Sequence, residues 1–326
     1  MKSIAAVLLS AALLSANICQ AQVDADRAGY PNRPVRIVVP FAPGGVTDVM
    51  GRLLAQKLSE NLGQQFYVDN QGGAGGNIGT AAAAAARPDG YTLVVTSSSY
   101  VVNPSLHAKV NYDPTKDLIP VTIAAASPNL LVVNPGEPAK TAGELIDAIR
   151  KSSGKHSFAS AGVGTTPHLS GELFRLSLGL DMVHVPFTGA GPALQSVVAG
   201  HTPIAFTGLP PAVNLVKAGN LRALVATSAN RSTALPDVPT VAEVGLAGQE
   251  AETLLFVLTP AGTPRDIVNL LHREIVKIAA APDIQQKFDA LGFAAMTTTP
   301  DESFARVKEE LAKWAKVIRD ANIQRQ

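Results

Sequence analysis

Between residues 35 and 259, short runs of β-branched and other apolar residues alternate with stretches whose apolar positions recur every three or four residues. That alternation restricts the chain to α/β units, in which strands form sheets and the intervening helices cover the sheet faces. The strands predicted on this basis are 35–39, 66–68, 91–96, 157–160, 182–185, 204–207 and 221–227. The helices are 48–62, 81–86, 141–151, 168–178, 190–199 and 211–218. The first helix has apolar residues at 49, 50, 53, 54, 58 and 62 and stops at Gly63. This is one stripe along a helix, closed by a residue suited to a left-handed cap. Thr141 and Glu144 form a capping box. Thr263-Pro-Arg-Asp266 and Thr299-Pro-Asp-Glu302 mark two further helix starts, the last helix running to about 321 with Trp314 on its apolar stripe.

Two strand-to-helix turns have the same chemistry. One is Pro40-Phe41-Ala42-Pro43-Gly44-Gly45-Val46-Thr47-Asp48 and the other is Ser160-Ala161-Gly162-Val163-Gly164-Thr165-Thr166-Pro167-His168. Backbone N–H groups at a helix start, unobstructed by bulky side chains, form an anion site. Two such turns in separate halves predict a carboxylate ligand gripped from both sides, which is capture rather than catalysis. A third glycine cluster, 72–79, is predicted to be a structured tight turn, because backbone at positive φ recruits glycine.

The N-terminus reads as a secretory signal. Lys2 precedes an apolar stretch from 4 to 18, and Cys19-Gln20-Ala21 supplies small residues at the cleavage positions. The stretch is shorter than the ~20 apolar residues of a spanning helix, and Ile18 is too large for a lipidated cysteine to follow it. Cleavage after Ala21 removes the sole cysteine, so the mature chain has no disulfide, no thiolate metal site and no cysteine nucleophile. It also removes Lys2, leaving 26 basic side chains (27 less one) against 26 acidic ones. With charges dispersed and near balance, nucleic acid and anionic membranes are excluded as partners. The 305 residues that remain (326 less 21) are ample for two domains.

Apolar segments at 121–133 and 253–259 are expected to cross between lobes. One lobe then comprises 22–125 with 254–326, and the other 126–253. Two crossings make a hinge, and a hinge between α/β lobes leaves a cleft that closes on a ligand.

From Tyr30 to Ile323 the chain resembles the Bug-type periplasmic solute-binding proteins of tripartite tricarboxylate transporters. The resemblance rests on an ordered set: Arg36-Ile-Val-Val-Pro-Phe-Ala-Pro-Gly-Gly with Asp48, Gly73-Ala-Gly-Gly-Asn-Ile-Gly79, Asp89-Gly-Tyr-Thr-Leu93, Gly162-x-Gly164-Thr165 with His168-Leu169, Val185-Pro-Phe, Leu235-Pro-Asp-Val-Pro-Thr240 and Pro260-Ala-Gly-Thr-Pro264. It implies a two-lobed Venus-flytrap fold, each lobe a mostly parallel sheet flanked by helices. It also implies a monomeric periplasmic protein that hands a small organic acid to the transporter's membrane subunits, without inserting in the membrane itself.

The resemblance assigns ligand contact to the loops 41–47 and 162–168. Gly44 and Gly45 would present N–H groups, Thr47 a hydroxyl, and Gly164, Thr165 and Thr166 further donors. His168 would either donate to the ligand or serve the helix start. Ser97 would line the cleft, Phe41 and Phe187 would be apolar walls, and Thr207 stands where the family is often acidic. Asp48 suits a helix-start acceptor, since a bare carboxylate repels an acid. The chain departs from the family at Gln71-Gly72, at Pro203 and Thr207, and at Leu254-Leu255-Phe256. Lost acidity at Pro203 and Thr207 points to a ligand without an amino group, and a larger apolar wall suits an aromatic or long-chain dicarboxylate.

Two alternatives accompany this expectation. One is a sensing protein that reports the same acid to a two-component receptor; the other is an exported hydrolase using His168 with a serine of the facing lobe. The chain has no Gly-x-Ser-x-Gly, no His-Glu-x-x-His and no P-loop, and its six histidines include no i,i+4 pair. No cofactor and no metal site is expected.

Overall fold

The computed structural model describes residues 29–152, 154–320 and 323–325; the expected export signal and Cys19 lie outside them. The chain begins β1 (Val35–Val39), α1 (Val46–Leu62), β2 (Phe66–Asn70), a short 3-10 turn (Ala74–Gly76), α2 (Asn77–Ala84), β3 (Thr92–Ser97) and α3 (Ser99–Leu106). It continues with β4 (Leu118–Val133), α4 (Ala142–Lys151), β5 (His156–Ser160), α5 (Thr166–Ser177), β6 (Met182–Pro186), α6 (Ala190–Val198), β7 (Ile204–Gly208), α7 (Leu209–Lys217) and β8 (Arg222–Ala226). It ends with β9 (Glu252–Pro260), α8 (Arg265–Ala280), α9 (Pro282–Leu291), β10 (Ala294–Ala295) and α10 (Pro300–Asp320).

The strands lie in the order β2-β1-β3-β9-β4-β7-β5-β6, with β8 and β10 also paired to β4. Strand β4 joins two sheets. From Leu118 to Pro128 it pairs with β9, and from Asn129 to Val133 it pairs with β7 and β8. Its side chains reach all four hydrophobic cores: Val121 and Ala125 on one face of the first sheet, Leu118 and Ile123 on the other, and Leu131 and Leu130 on the two faces of the second. Register shifts between Pro120 and Thr122 and between Ile123 and Ala125 change which face successive side chains take, so one strand anchors both lobes.

Parallel pairing, expected for most of each sheet, holds for β2-β1-β3 and for β6-β5-β7. Where β9 and β4 enter, the pairing is antiparallel. A chain that leaves the first sheet on β4 must come back on a strand of opposite direction, and that strand is β9.

The local signals act as their chemistry requires. On α1, Met50, Leu54 and Leu58 are buried in the core, and Gly63 caps the helix at φ 69° with its N–H on Ser59 O at 3.1 Å. Thr299 and Glu302 close a reciprocal capping box: Glu302 N–H donates to Thr299 Oγ1 (3.2 Å) and Thr299 N–H to Glu302 Oε2 (2.8 Å). Trp314 is buried in the core under α10 and donates its indole N–H to Glu310 Oε2 at 2.7 Å. Helix α3 was not anticipated, because Val101, Val102 and Pro104 are poor helix formers. Tertiary burial decides it, since Tyr100, Val101, Val102 and Leu106 are fully buried.

Candidate functional site

Helices α1, α5, α6 and α7 each start just after a strand, and their first residues converge on one cleft. Phe41, Gly45, Val46 and Thr47 line it from the β1–α1 turn, and Ser97 from the end of β3. Opposite them stand Ala161, Thr165 and Pro167 of the β5–α5 turn, with Ala190 and Gly208 at the starts of α6 and α7; Thr253 of β9 completes the lining. None of these residues carries a charge. The site therefore consists of helix N-termini and hydroxyls around an apolar floor, a set of neutral donors suited to an anion.

The first turn is braced by Asp48. Its carboxylate accepts from Gly44 N–H (2.9 Å), Arg52 Nε (2.9 Å) and Asn70 Nδ2 (2.9 Å). Burial pushes its pKa up, and the hydrogen bonds from Arg52, Gly44 and Asn70 outweigh this and leave it below the ordinary value. Gly44 N–H, expected to meet the ligand, is therefore occupied, and Gly44 is not in the lining. Thr47 is buried in the cleft wall, and its hydroxyl has no hydrogen bond among the described residues.

The second turn is tied to itself. Thr165 Oγ1 donates to Gly162 O (2.7 Å) and accepts from His168 N–H (3.3 Å), which makes it the N-cap of α5. Gly164 N–H donates to His168 Nδ1 at 3.3 Å. His168 lies against His184 with ring centroids 4.3 Å apart, and its Nε2 is 4.0 Å from Glu172 Oε1. Burial first, then the charge of Arg175 and the neighbouring His107, hold His168 down to about 4. His168 is thus a neutral structural group. Gly164, Thr166 and His168 do not reach the lining, because the turn folds their polar groups onto one another or into the lobe.

Thr207 is also absent from the lining; it is buried on β7 with its hydroxyl on Gly208 O (3.3 Å), and Gly208 takes the place expected for it. Ser97 is in the lining, with its hydroxyl on Ser99 Oγ at 3.0 Å. Phe187 stands not here but in an adjoining recess of about 310 Å³, which it shares with Phe41, Ala161 and the glycine turn at 73–76.

The lobes are closed on one another. Ala42 N–H donates to Thr188 O at 3.1 Å across the cleft. A Cβ on Gly75 would lie 1.9 Å from Val163 O, and one on Gly164 would lie 2.1 Å from Asn103 Oδ1. Both residues have positive φ, +61° and +82°, so glycine is required there twice over, for conformation and for approach.

Val46 and Pro167 lie in the loops assigned to the ligand without having been given a role there, and Ala161, Ala190, Gly208 and Thr253 are lining residues outside those loops. For Ala190 and Gly208 a signal existed, since each stands at a strand-to-helix junction like the two that were recognised. For Thr253 there was none. Its hydroxyl donates to Asn129 Oδ1 at 3.0 Å, a contact between the two crossing strands.

A serine–histidine pair is present, with Ser160 Oγ 2.7 Å from His184 Nε2. Ser160 is fully buried, so no substrate carbonyl reaches it.

Two joined α/β lobes closing on an uncharged cleft at converging helix starts define a solute-binding protein of the periplasmic type. The family model of the tripartite tricarboxylate transporter family receptor (TctC) matches residues 50–323. Protein BugT of Bordetella pertussis is 38% identical over 302 residues, covering 92% of this chain and 92% of BugT. Among solved structures, the periplasmic binding protein BugD superposes with a TM-score of 0.88 at 32% identity, over 91% of this chain and 100% of BugD. Rpa4515 of R. palustris, solved with adipate, superposes with a TM-score of 0.88 at 34% identity, over 90% of this chain and 99% of its own. The chain belongs to the Bug/TctC family of periplasmic solute-binding proteins, a family of binding proteins and not of enzymes. No helix of the described residues is long and apolar enough to cross a membrane.

Proposed function

We propose that this protein captures a small di- or tricarboxylate without an amino group between its lobes in the periplasm and delivers it to the membrane subunits of a tripartite tricarboxylate transporter. The observation that carries the proposal is the convergence of four helix starts on a cleft whose lining holds no charged side chain. Neutral N–H and hydroxyl donors satisfy a carboxylate through charge-assisted hydrogen bonds. An ammonium group would find no counter-charge there. The contacts assigned to the ligand are Gly45 and Thr47 from the first turn, Ser97, and Thr165 from the second, with Phe41 as an apolar wall. The adipate held by Rpa4515 supports a dicarboxylate here.

The lobes are assigned as 22–125 with 254–326 and 126–253. The change of β4 partners between Pro128 and Asn129 supports a division near that point. Closure on the ligand is a population shift, so a ligand must touch both lobes to favour the closed state.

Thermal unfolding of the mature protein, stripped of co-purified ligand, tests the proposal against aliphatic, hydroxylated, amino and aromatic carboxylates. An acid present at 100 times its Kd should stabilise the fold by about 2.7 kcal/mol. No shift with any acid would defeat the proposal. Preference for aspartate or glutamate over their non-amino analogues would defeat the assignment of ligand class.

A further inference from the structure

The space between the two turns is about 30 Å³, room for one or two water molecules. A carboxylate head fits it; the body of an organic acid does not. The adjoining recess of about 310 Å³ shares Phe41 and Ala161 with this space, so those two residues form the neck between them. Beyond the neck, Phe187 and Pro186 give apolar walls, and the glycine turn with His107 forms the far side.

His107 is held in place at its backbone. Its N–H donates to Asn103 O at 2.9 Å, and its carbonyl accepts from Arg325 Nε at 3.2 Å. Its ring Nε2 is buried and makes no hydrogen bond of normal geometry among the described residues. Burial lowers the pKa of the ring, and a hydrogen-bonding contact with the Val163 backbone opposes that shift; the residue lines the recess. A buried polar nitrogen without a partner costs free energy that a ligand acceptor would recover.

Resting on the function proposed above, we infer that the recess is a distal subsite in which His107 Nε2–H binds the far carboxylate of an extended dicarboxylate, with Phe41 and Phe187 flanking the acid's body. The preferred ligand is then longer than succinate.

Calorimetric titration of the ligand-stripped mature protein with succinate, adipate and suberate tests this. In the wild type, affinity should rise from succinate to the longer acids. His107→Leu should weaken adipate or suberate by about tenfold or more, the effect of one lost hydrogen bond to a charged group, with succinate changed much less. His107→Gln, which keeps a donor, should recover part of the loss. Phe187→Ala serves as a second variant away from His107 and should also weaken the long acids more than succinate.

Equal losses for short and long acids, or an affinity that falls with length, would overturn the distal subsite and leave the proposed function standing. Wild-type protein that binds none of the three, nor any other acid, would overturn both. A melting curve for each variant separates lost binding from lost folding.

Discussion

The turn after β1 and the turn after β5 face each other across the cleft, and they dispose of their hydrogen-bonding groups differently. In the first, Asp48 holds Gly44 N–H, Arg52 and Asn70 from behind, and the Thr47 hydroxyl in the cleft wall is left without a partner. In the second, Thr165 and His168 take up one another's groups together with those of Gly162 and Gly164. One turn is braced so that it can offer donors; the other is a self-capped wall. The cleft thus has a hydroxyl without a partner on one side and hydroxyls already used by the fold on the other, which gives the comparison measurable consequences.

The largest consequence is in the pH dependence of stability. His168 is held to about 4 in the fold, mainly by burial, against about 6.5 when unfolded. The unfolded state therefore takes up more protons between those values, so stability falls as pH drops from 6.5 towards 4. The His168 contribution to that loss is about 3 kcal/mol. His184, held to about 3 by burial and then by His168, adds to the same slope; Glu172 opposes its shift and Arg175 reinforces it. Asp48, on the first turn, is shifted the other way, and its contribution is lost only as pH falls below the ordinary aspartate value. Urea unfolding at pH 7 and pH 4.5 should show the loss, reduced in His168→Gln. An unchanged slope in that variant would break the assignment of this window to the second turn.

Next in size is Asp48→Ala. It leaves Gly44 N–H and the Asn70 amide without the carboxylate they share, and should cost about 2 kcal/mol in urea unfolding at pH 7. Ligand affinity should fall as well, because the brace behind Thr47 is gone. A variant with native stability would show that the first turn needs no brace.

Much of this contrast was legible in the residues, and the rest was not for a definite reason. The helix stripe on α1, the glycine stop at 63, the two turns and the role of Asp48 at the helix start all depend on neighbours within a few positions, and local pattern reports those. Gly164 was read as a donor because a sequence shows an N–H but not the His168 nitrogen that meets it in space. Thr253 enters the lining only because β9 brings it to residues far away in the chain. Thr207 was one residue out, and on a strand a single step turns a side chain to the opposite face.

The smallest stability effects come from a matched pair of substitutions that tests the contrast most directly. Thr165→Val removes the α5 N-cap and should cost about 1 kcal/mol of stability. Thr47→Val removes a hydroxyl with no partner in the fold, so its stability should stay within about 0.5 kcal/mol of wild type. The order should reverse for binding. Thr47→Val loses a donor proposed to meet the carboxylate, which weakens the acid by about tenfold. Thr165→Val should weaken it less, since that hydroxyl already serves Gly162 and His168. Both substitutions keep a β-branched side chain of similar volume, so packing changes little and the hydroxyl alone is tested. Unfolding and calorimetry on the same two preparations give both orders. If Thr165→Val proved the weaker binder and Thr47→Val the less stable protein, the two turns would have exchanged roles, with the donors on the β5 side of the cleft.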